Sequence, residues 1–270
     1  MHWPFKQHKT SRNIKTLPHH DNLKSFGACF GVSGGYERPM WFALDGEKAE
    51  YEYSYNYQSW YPSAEYETNN TVKNVGLFDL TPFSKFEIKS DKAHQELQKI
   101  CTANIKNEPG KCVYTHMLNS DGGIETDLTV VCVDKNHFRI ISSAATRERD
   151  KFHINKHLSK NVELKDITDD LCVFGLFGPK SRDLLKTLSE DNFENDQFRF
   201  GFAKFITIDG VKIWTQRLSY VGELGYELYV DLKDAKKIYE LLIEKGKDFN
   251  LSNCGMHAMD IMRMESGFLH

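Results

Sequence analysis

The segment of residues 219–229 constrains the fold most, because two glycines, two carboxylates and three tyrosines fall within it. Gly222 and Gly225 allow backbone conformations that a side chain would forbid. Strand-like residues follow at once, so a sharp turn leads directly into a sheet. Tyr220 and Glu227 are therefore expected to meet across the bend. An ordinary surface turn is the alternative, but such a turn would need one glycine and no pair of acids.

A second informative segment covers residues 114–130, where a polar turn separates two apolar runs. Its Asn-Ser-Asp-Gly-Gly sequence at 119–123 is typical of a turn, and residues 128–133 predict a buried strand. Asp127 is expected at the mouth of this strand, beside the turn. A carboxylate in that position either caps a backbone N–H or has a shifted pKa and a chemical role. The residues alone leave both interpretations open.

The order of predicted elements favours an α+β fold with antiparallel sheets backed by helices. Apolar residues repeat at helical spacing in one C-terminal stretch, and Asp209 and Gly210 separate two β-type runs as in a hairpin. The predicted helices cover residues 90–100, 146–158, 179–188 and 234–244, with another from 257. The predicted strands cover residues 112–118, 127–134, 137–144, 172–177, 205–208, 211–214 and 226–230.

Two further segments combine with these in a specific order. They are Asn-Val-Gly-Leu-Phe-Asp-Leu at 74–80 and Ala-Met-Asp-Ile-Met-Arg-Met-Glu-Ser-Gly at 258–267. In order and spacing, the four segments resemble the folate-binding aminomethyltransferase family, which includes the T protein of the glycine cleavage system. The resemblance covers residues 65–270. It implies a two-part folate-binding core, each part an antiparallel sheet backed by helices.

The preceding residues narrow this resemblance. Gly-Tyr-Glu-Arg-Pro-Met-Trp-Phe at 35–42 and Tyr-Glu-Tyr-Ser-Tyr at 51–55 are similar to a segment of the dimethylglycine and sarcosine dehydrogenases that joins their flavin domain to their folate domain. We therefore expect residues 1–64 to be a linker and loop-rich segment following an absent flavin domain, with an extended arm over 1–25. Residues 65–270 would be the folate-binding domain. The last helix has no predicted end, so the chain is expected to be a fragment lacking a C-terminal β domain.

The resemblance also implies roles for individual residues in binding tetrahydrofolate. Glu227 would accept hydrogen bonds from the amino and ring N–H groups of the pterin, as ionised carboxylates do, and Tyr220 would contact the pterin edge. Tyr114 matches a family tyrosine near the same pocket. Asp127 matches the catalytic acid, which would orient the reduced folate and assist proton transfer.

Arg263 is a further expected cofactor contact, although an ion pair with the neighbouring Glu265 is an equally good interpretation. Three positions depart from the T protein, which has asparagine in place of Ser143, arginine in place of Met259 and aspartate in place of Thr126. The first two changes remove an amide and a positive charge. A lipoyl-linked aminomethyl donor is therefore not expected.

The resemblance thus implies an enzyme part, the one-carbon transfer portion of an N-methylamine dehydrogenase, which traps the released carbon as 5,10-methylenetetrahydrofolate. A flavin domain or subunit would oxidise the small donor, of the dimethylglycine or sarcosine type. FAD is expected only there, because the chain has no Gly-x-Gly-x-x-Gly sequence. Three alternatives stay open: an ordinary T protein with aminomethyltransferase activity, one of the family's methylthio-donor demethylases, and a folate-binding assembly factor without catalysis.

Composition argues against several other classes of function. The net charge of −3 gives no reason to expect nucleic acid or a membrane surface as a partner. No apolar run suits a membrane span or a signal peptide, so a cytoplasmic location with reduced cysteines is expected by default. His153 and His157 have a spacing that suits metal ligands on a helix, but no third ligand is near, so no metal site is expected.

Overall fold

The computed structural model describes residues 6–269, and within that range it has two large sheets, a separate hairpin and seven α-helices. The helices are α1 His20–Ser25, α2 Tyr61–Lys73, α3 Ala93–Ile100, α4 Arg147–His157, α5 Ser181–Leu188, α6 Leu232–Gly246 and α7 Met256–Glu265. The strands are β1 Ala28–Ser33, β2 Tyr36–Phe42, β3 Val75–Asp79, β4 Ser84–Lys89, β5 Cys112–Leu118, β6 Ile124–Asp134, β7 His137–Ser142, β8 Leu164–Asp166, β9 Leu171–Phe177, β10 Ala203–Ile208, β11 Val211–Gln216, β12 Gly225–Asp231 and β13 Leu251–Cys254.

The two large sheets have simple orders. One contains six strands in the order β10-β11-β12-β9-β3-β13, and the other contains five in the order β5-β6-β7-β4-β8. All neighbours in these sheets are antiparallel except β13 and β3, which are parallel. The α+β fold with antiparallel sheets backed by helices is therefore confirmed, with one parallel edge strand that the sequence did not indicate.

Helices cover the outer face of each sheet. On the six-stranded sheet, Leu228 is buried with Leu185 of α5 and Ile238 of α6. On the five-stranded sheet, Val130 is buried with Leu97 of α3. Each such burial stabilises the fold by about 1.5–3 kcal/mol. The helices therefore seal both outer faces, and the inner faces are left to pack against each other.

The inner faces meet in a central cluster. Val131 of β6 packs there with Val173 of β9 and Tyr229 of β12, and Met259 of α7 joins them. The molecule thus has four layers, with a sheet pair enclosed between two helical layers. Because side chains alternate along a strand, residues between the outer-face positions point toward the opposite sheet.

Strand β6 illustrates how this alternation selects the inner face. Leu128 and Val130 lie in the outer cluster, whereas Val131 lies in the central one. Asp127 has the same parity as Val131 and so faces the six-stranded sheet. The sequence predicted that Asp127 lies at the start of this strand. The strand begins at Ile124, so Asp127 lies within it instead.

The prediction of an extended arm over residues 1–25 is wrong for residues 20–25. Residues 20–25 form α1, and Leu17 and Leu23 are buried in the same cluster as the six-stranded sheet. The hairpin of β1 and β2 joins that cluster through Tyr36. The surrounding basic residues gave this segment the composition of a linker, although its few apolar side chains dock it onto the core.

Helix α7 ends at Glu265, although the sequence predicted no end for it. The N–H of Phe268 donates to the carbonyl of Arg263 at 2.8 Å, and that of Gly267 donates to Met264 at 3.0 Å. Gly267 has a φ of 73°. This is the Schellman motif, in which a glycine takes the left-handed conformation just after the last turn. Gly267 is therefore the stop signal of α7, so the prediction of a helix without an end is wrong.

Candidate active site

The first wall of the candidate site is the inner face of the five-stranded sheet. Strands β5 and β6 pair so that Tyr114 lies opposite Thr129 and His116 opposite Asp127. Side chains directly opposite each other share a face of the sheet, and Val131 on this face belongs to the central cluster. Tyr114 and Asp127 therefore both face the six-stranded sheet.

Tyr114 and Asp127 are joined by a hydrogen bond. The hydroxyl of Tyr114 donates to Oδ2 of Asp127 at 3.0 Å. Both side chains are exposed, so the pair lies on the solvent side of the site. Partial desolvation of the phenol hydroxyl and the neighbouring Asp127 carboxylate raise the pKa of Tyr114 to about 12. The phenol therefore stays protonated at neutral pH and holds one oxygen of Asp127, which leaves the other oxygen for a ligand.

The second wall is formed by β11 and β12 of the six-stranded sheet. Glu227 lies opposite Gln216, and Tyr229 lies opposite Trp214. Oε2 of Glu227 accepts a hydrogen bond from the hydroxyl of Tyr229 at 2.9 Å. Burial raises the pKa of Glu227 to about 7, against the lowering effect of that hydrogen bond. Glu227 therefore changes charge near neutral pH, on the face that looks toward the first wall.

Gln216 is the least satisfied polar group of this wall. Its side chain is fully buried, and neither its amide oxygen nor its amide nitrogen has a hydrogen-bond partner among residues 6–269. A buried amide without partners costs about 1–3 kcal/mol of stability. Such a group is explained when a ligand supplies the missing hydrogen bonds. Gln216 was not singled out from the sequence.

Arg139 spans the gap between the two sheets. On β7 it pairs with Glu87 of β4 at 2.7 Å, and its guanidinium lies 6.0 Å from the ring centroid of Trp214 and 5.7 Å from that of Tyr229. Its Nη1 has no hydrogen-bond partner in the described residues. The arginine therefore fixes the aromatic residues beside Glu227 and keeps one donor free.

The turn before β12 brings Tyr220 to the same region. Its ring stacks on Phe268 with centroids 5.8 Å apart, and its hydroxyl donates to the carbonyl of Leu269. Burial raises the pKa of Tyr220, with opposing effects from Arg263 and Asp127, so these groups lie near one another. The expected meeting of Tyr220 with Glu227 does not take the form of a hydrogen bond, because each has a different partner.

The two glycines of this turn are required for different reasons. Gly222 has a φ of 77°, and a Cβ there would lie 2.1 Å from Oγ of Ser266. Gly225 has no such backbone conformation, but a Cβ there would lie 2.8 Å from the carbonyl oxygen of Leu218. The first glycine thus permits the left-handed turn, and the second permits close approach of the chain to itself.

Arg263 is held by its own helix. Its Nε lies 2.7 Å from Oδ1 of Asp260, and its Nη1 donates to the carbonyl of Phe268 at 3.2 Å. The ion pair is therefore formed with Asp260 and not with Glu265. Nη2 of Arg263 has no partner in the part of the chain that the structure describes, so one edge of the guanidinium stays available beside Tyr220.

The three departures from the T protein have ordinary structural surroundings. Met259 is buried in the central cluster, Thr126 donates to Asp150 at 3.2 Å, and Oγ of Ser143 accepts from the N–H of Ala145 at 3.3 Å.

His157, one of the two histidines at metal-ligand spacing, forms a hydrogen bond with the backbone carbonyl of His153. Residues 6–269 contain no cluster of three potential metal ligands and no helix that could cross a membrane.

Relatives of this chain include an oxidase and a dehydrogenase that are named for N-methylated substrates. The chain is 36% identical along its whole length to the 4-methylaminobutanoate oxidase (formaldehyde-forming) of Paenarthrobacter nicotinovorans, in which the match covers 33% of the sequence. It is 32% identical to the mitochondrial dimethylglycine dehydrogenase of Rattus norvegicus over 88% of the chain and 28% of that protein. The chain therefore spans about a third of the length of these relatives.

The fold and the family agree. The crystal structure of the glycine cleavage system aminomethyltransferase T from Bartonella henselae superimposes with a TM-score of 0.78, covering 95% of this chain and 64% of that one at 21% identity. The model of the GCVT N-terminal domain matches residues 19–270. The chain therefore belongs to the GCVT family, the folate-dependent aminomethyltransferase family whose members include parts of N-methylamine dehydrogenases.

Proposed function

We propose that this chain is the tetrahydrofolate-binding, one-carbon transfer part of an N-methylamine dehydrogenase of the dimethylglycine or sarcosine type. The observation that carries the proposal is the pair formed by Glu227 and Gln216. A carboxylate that ionises near neutral pH lies opposite a buried amide without partners. A pterin edge presents N–H donors and acceptors side by side. These are the hydrogen-bond partners that Glu227 and Gln216 lack.

The residues of the second wall suit a pterin. Ionised Glu227 accepts from two neighbouring N–H groups, while the amide of Gln216 both donates and accepts. Tyr229 orients the carboxylate by donating to one of its oxygens. When bound, tetrahydrofolate supplies the nitrogens that take up the one-carbon unit as 5,10-methylenetetrahydrofolate, with release of the demethylated amine from an iminium donor or of water from formaldehyde.

Asp127 has the proton-transfer role in this proposal. One of its oxygens is held by Tyr114, so the other is directed and solvent-accessible. A carboxylate fixed in this way can accept a proton from an attacking nitrogen and return it to the departing amine or hydroxyl. General acid–base assistance of this kind is worth about 10²–10⁴-fold in rate.

Tyr220 and Arg263 complete the proposed folate site. Tyr220 interacts electrostatically with both Asp127 and Arg263, so it lies near each of them. The free edge of Arg263 suits the anionic glutamate tail of a folate. Because Arg263 is already paired with Asp260, its contribution to affinity is smaller than that of an unpaired arginine.

The dehydrogenase relatives and the N-terminal residues support the proposed donor. Similarity to the 4-methylaminobutanoate oxidase extends over the whole chain, including residues 1–64, which we propose to connect the folate-binding part, residues 65–270, to a flavin-containing part. FAD then belongs to that other part or to a partner subunit. The donor is the carbon oxidised there, as an iminium ion or formaldehyde.

The formation rate of 5,10-methylenetetrahydrofolate from tetrahydrofolate and formaldehyde, measured by stopped flow above the spontaneous rate, tests this function. We expect the wild-type chain to accelerate it, Asp127→Asn to lower the acceleration by about 10²-fold, and exposed Asp248→Asn to leave it unchanged. A wild-type chain that binds folate without acceleration would contradict the transferase role and favour the non-catalytic alternative.

A further inference from the structure

Arg38 on β2 is an isolated cation outside the residues described above. Its Nε is buried and has no hydrogen-bond partner, and its guanidinium forms no ion pair with residues 6–269. Asp79 is the acid that acts on its charge, but Asp79 already accepts from the N–H of Thr81 at 2.9 Å and contacts Nε2 of His19 at 3.1 Å. The guanidinium of Arg38 therefore has no carboxylate partner among the described residues.

This unpaired charge destabilises the folded protein. Burial lowers the pKa of Arg38 to about 10, because the charged form loses hydration without gaining a partner. Arg38 is half-buried as a residue, but its Nε is shielded from solvent, and a charged group in such a position is normally paired. An apolar side chain at this position would avoid the cost. An anionic ligand would complete the pair that the guanidinium lacks.

Tyr51 and His257 each interact electrostatically with the charge of Arg38, and we call these three residues the Arg38 cluster. The hydroxyl of Tyr51 lies 2.7 Å from Nε2 of His257, and the ring of Trp60 stacks on His257 with centroids 3.9 Å apart. Burial, together with the charge of Arg38, lowers the pKa of His257 to about 4. His257 is therefore neutral at physiological pH, and the positive charge of this cluster resides on Arg38.

Helix α7 connects this cluster to the folate site. Asp260 acts electrostatically on both His257 and Tyr220, so it lies between the two. From His257 to Arg263 the helix rises by about 9 Å, at about 1.5 Å per residue. The Arg38 cluster and the proposed folate site therefore both lie against α7.

We propose that Arg38, with the Tyr51–His257 pair, binds the carboxylate of the amino acid from which the one-carbon unit is transferred. This inference rests on the proposed function for the identity of the amino acid, but the anion site itself rests on the unpaired guanidinium. The planar fork of arginine matches the two oxygens of a carboxylate. An N-methylamino acid has that carboxylate at the end opposite its reactive nitrogen, so Arg38 would fix the orientation of the donor.

The test is a titration of the full chain with sarcosine, and with sarcosinamide, which lacks the carboxylate. Binding is followed through the imidazole signals of His257 in NMR spectra. We expect sarcosine to shift these signals and sarcosinamide to leave them in place. Arg38→Met should weaken sarcosine binding at least 10-fold, and Arg38→Lys should weaken it less. The exposed Arg199→Met is the matched control and should bind as the wild type does.

Thermal unfolding and a folate titration separate the other outcomes. Arg38→Met should unfold at the same temperature as the wild type or higher, since it removes an unpaired charge; a lower temperature would overturn the ligand role in favour of a structural one. Equal sarcosine binding by the wild type and Arg38→Met would overturn the site. Loss of 5-formyltetrahydrofolate binding in Arg38→Met, with no response to sarcosine, would assign the site to the folate tail instead and overturn the donor assignment. If the wild type binds sarcosine but not the folate, the proposed function fails while the anion site stands.

Discussion

Gln216 and Glu227 lie opposite each other on β11 and β12, and the hydrogen bond that reaches Glu227 comes from Tyr229 of its own strand. The amide of Gln216 has no partner within the described chain. The two side chains thus form a polar patch on the inner face of the six-stranded sheet. The residues around this patch are aromatic and aliphatic. This patch is the structural basis of the proposed pterin site.

The first prediction concerns a trade between stability and binding at Gln216. Gln216→Met removes a buried amide without partners, so the free energy of unfolding should rise by about 1 kcal/mol. Affinity for 5-formyltetrahydrofolate should fall about 10-fold, equivalent to about 1.4 kcal/mol. Urea unfolding and calorimetry measure the two effects.

Gln98 provides the control for that prediction. Its amide accepts from the N–H of Ile105 at 2.8 Å and donates to the carbonyl of Ala103 at 3.0 Å. Gln98→Met should therefore lose about 1–3 kcal/mol of stability and keep its folate affinity. Equal destabilisation by the two changes would mean that Gln216 has partners in solution.

A second prediction follows from the raised pKa of Glu227. Its pKa rises from the ordinary 4.5 to about 7, so the folded protein favours the protonated carboxyl. The associated stability is fully present below pH 4.5 and is lost as the pH rises through 7. Folate binding requires the ionised form, so the affinity should increase from pH 6 to pH 8. Calorimetric titrations across this range should show the increase in the wild type and a flat profile in Glu227→Gln.

The third prediction concerns Glu67, a buried acid that ties three elements together. From α2 it accepts the N–H of Phe42 and that of Gly255, each at 2.7 Å. Glu67→Ala leaves both donors without an acceptor, which should cost about 2–5 kcal/mol in urea unfolding. Exposed Glu65→Ala, on the same helix, should change stability by about 0.5 kcal/mol at most.

Glu67 should also add its own pH dependence to stability. Burial raises its pKa to about 8, against the lowering effect of the two backbone hydrogen bonds. Stability from this group is full below pH 4.5 and is lost as the pH rises through 8. The wild type should therefore be less stable at pH 9 than at pH 6, and Glu67→Gln should reduce that difference. An unchanged pH dependence in this variant would show that the carboxyl is ionised at neutral pH.

A fourth prediction compares two glycines with positive φ. Gly222 has φ 77° and a Cβ position 2.1 Å from Oγ of Ser266, whereas Gly46 has φ 87° with no atom within 4 Å. Gly46→Ala should cost about 1 kcal/mol through backbone strain alone. Gly222→Ala should cost more and should also weaken folate binding, because its turn carries Tyr220. Equal unfolding costs and equal folate affinities would contradict the role of this turn in the site.

Much of the fold was predictable because its signals are local. The Asp209-Gly210 turn, with φ of 46° and 78°, closes a hairpin whose first cross-strand pair is Ile208 with Val211, and both residues of that turn favour positive φ. The strand expected at 112–118 is the observed β5. Local signals failed where packing decides, as in the docking of α1.

The candidate site was only partly predictable. Asp127 and Glu227 stand in segments dense with turn signals, so their strands and faces could be inferred. Gln216 is separated from Glu227 by an irregular turn, and their pairing depends on the register of two strands. Arg38 is a polar residue of a hairpin whose burial comes from contacts distant in sequence. Such residues carry no local signature.

The most direct test of the account is calorimetric titration of the chain with 5-formyltetrahydrofolate, beside Glu227→Ala and Asp127→Ala. We expect the wild type to bind, Glu227→Ala to lose binding at least 10-fold, and Asp127→Ala to stay within about threefold of the wild type, since Asp127 is assigned to catalysis. Each variant should unfold cooperatively. A folded wild-type chain without binding, or a Glu227→Ala variant with unchanged affinity, would contradict the pterin site between the two sheets.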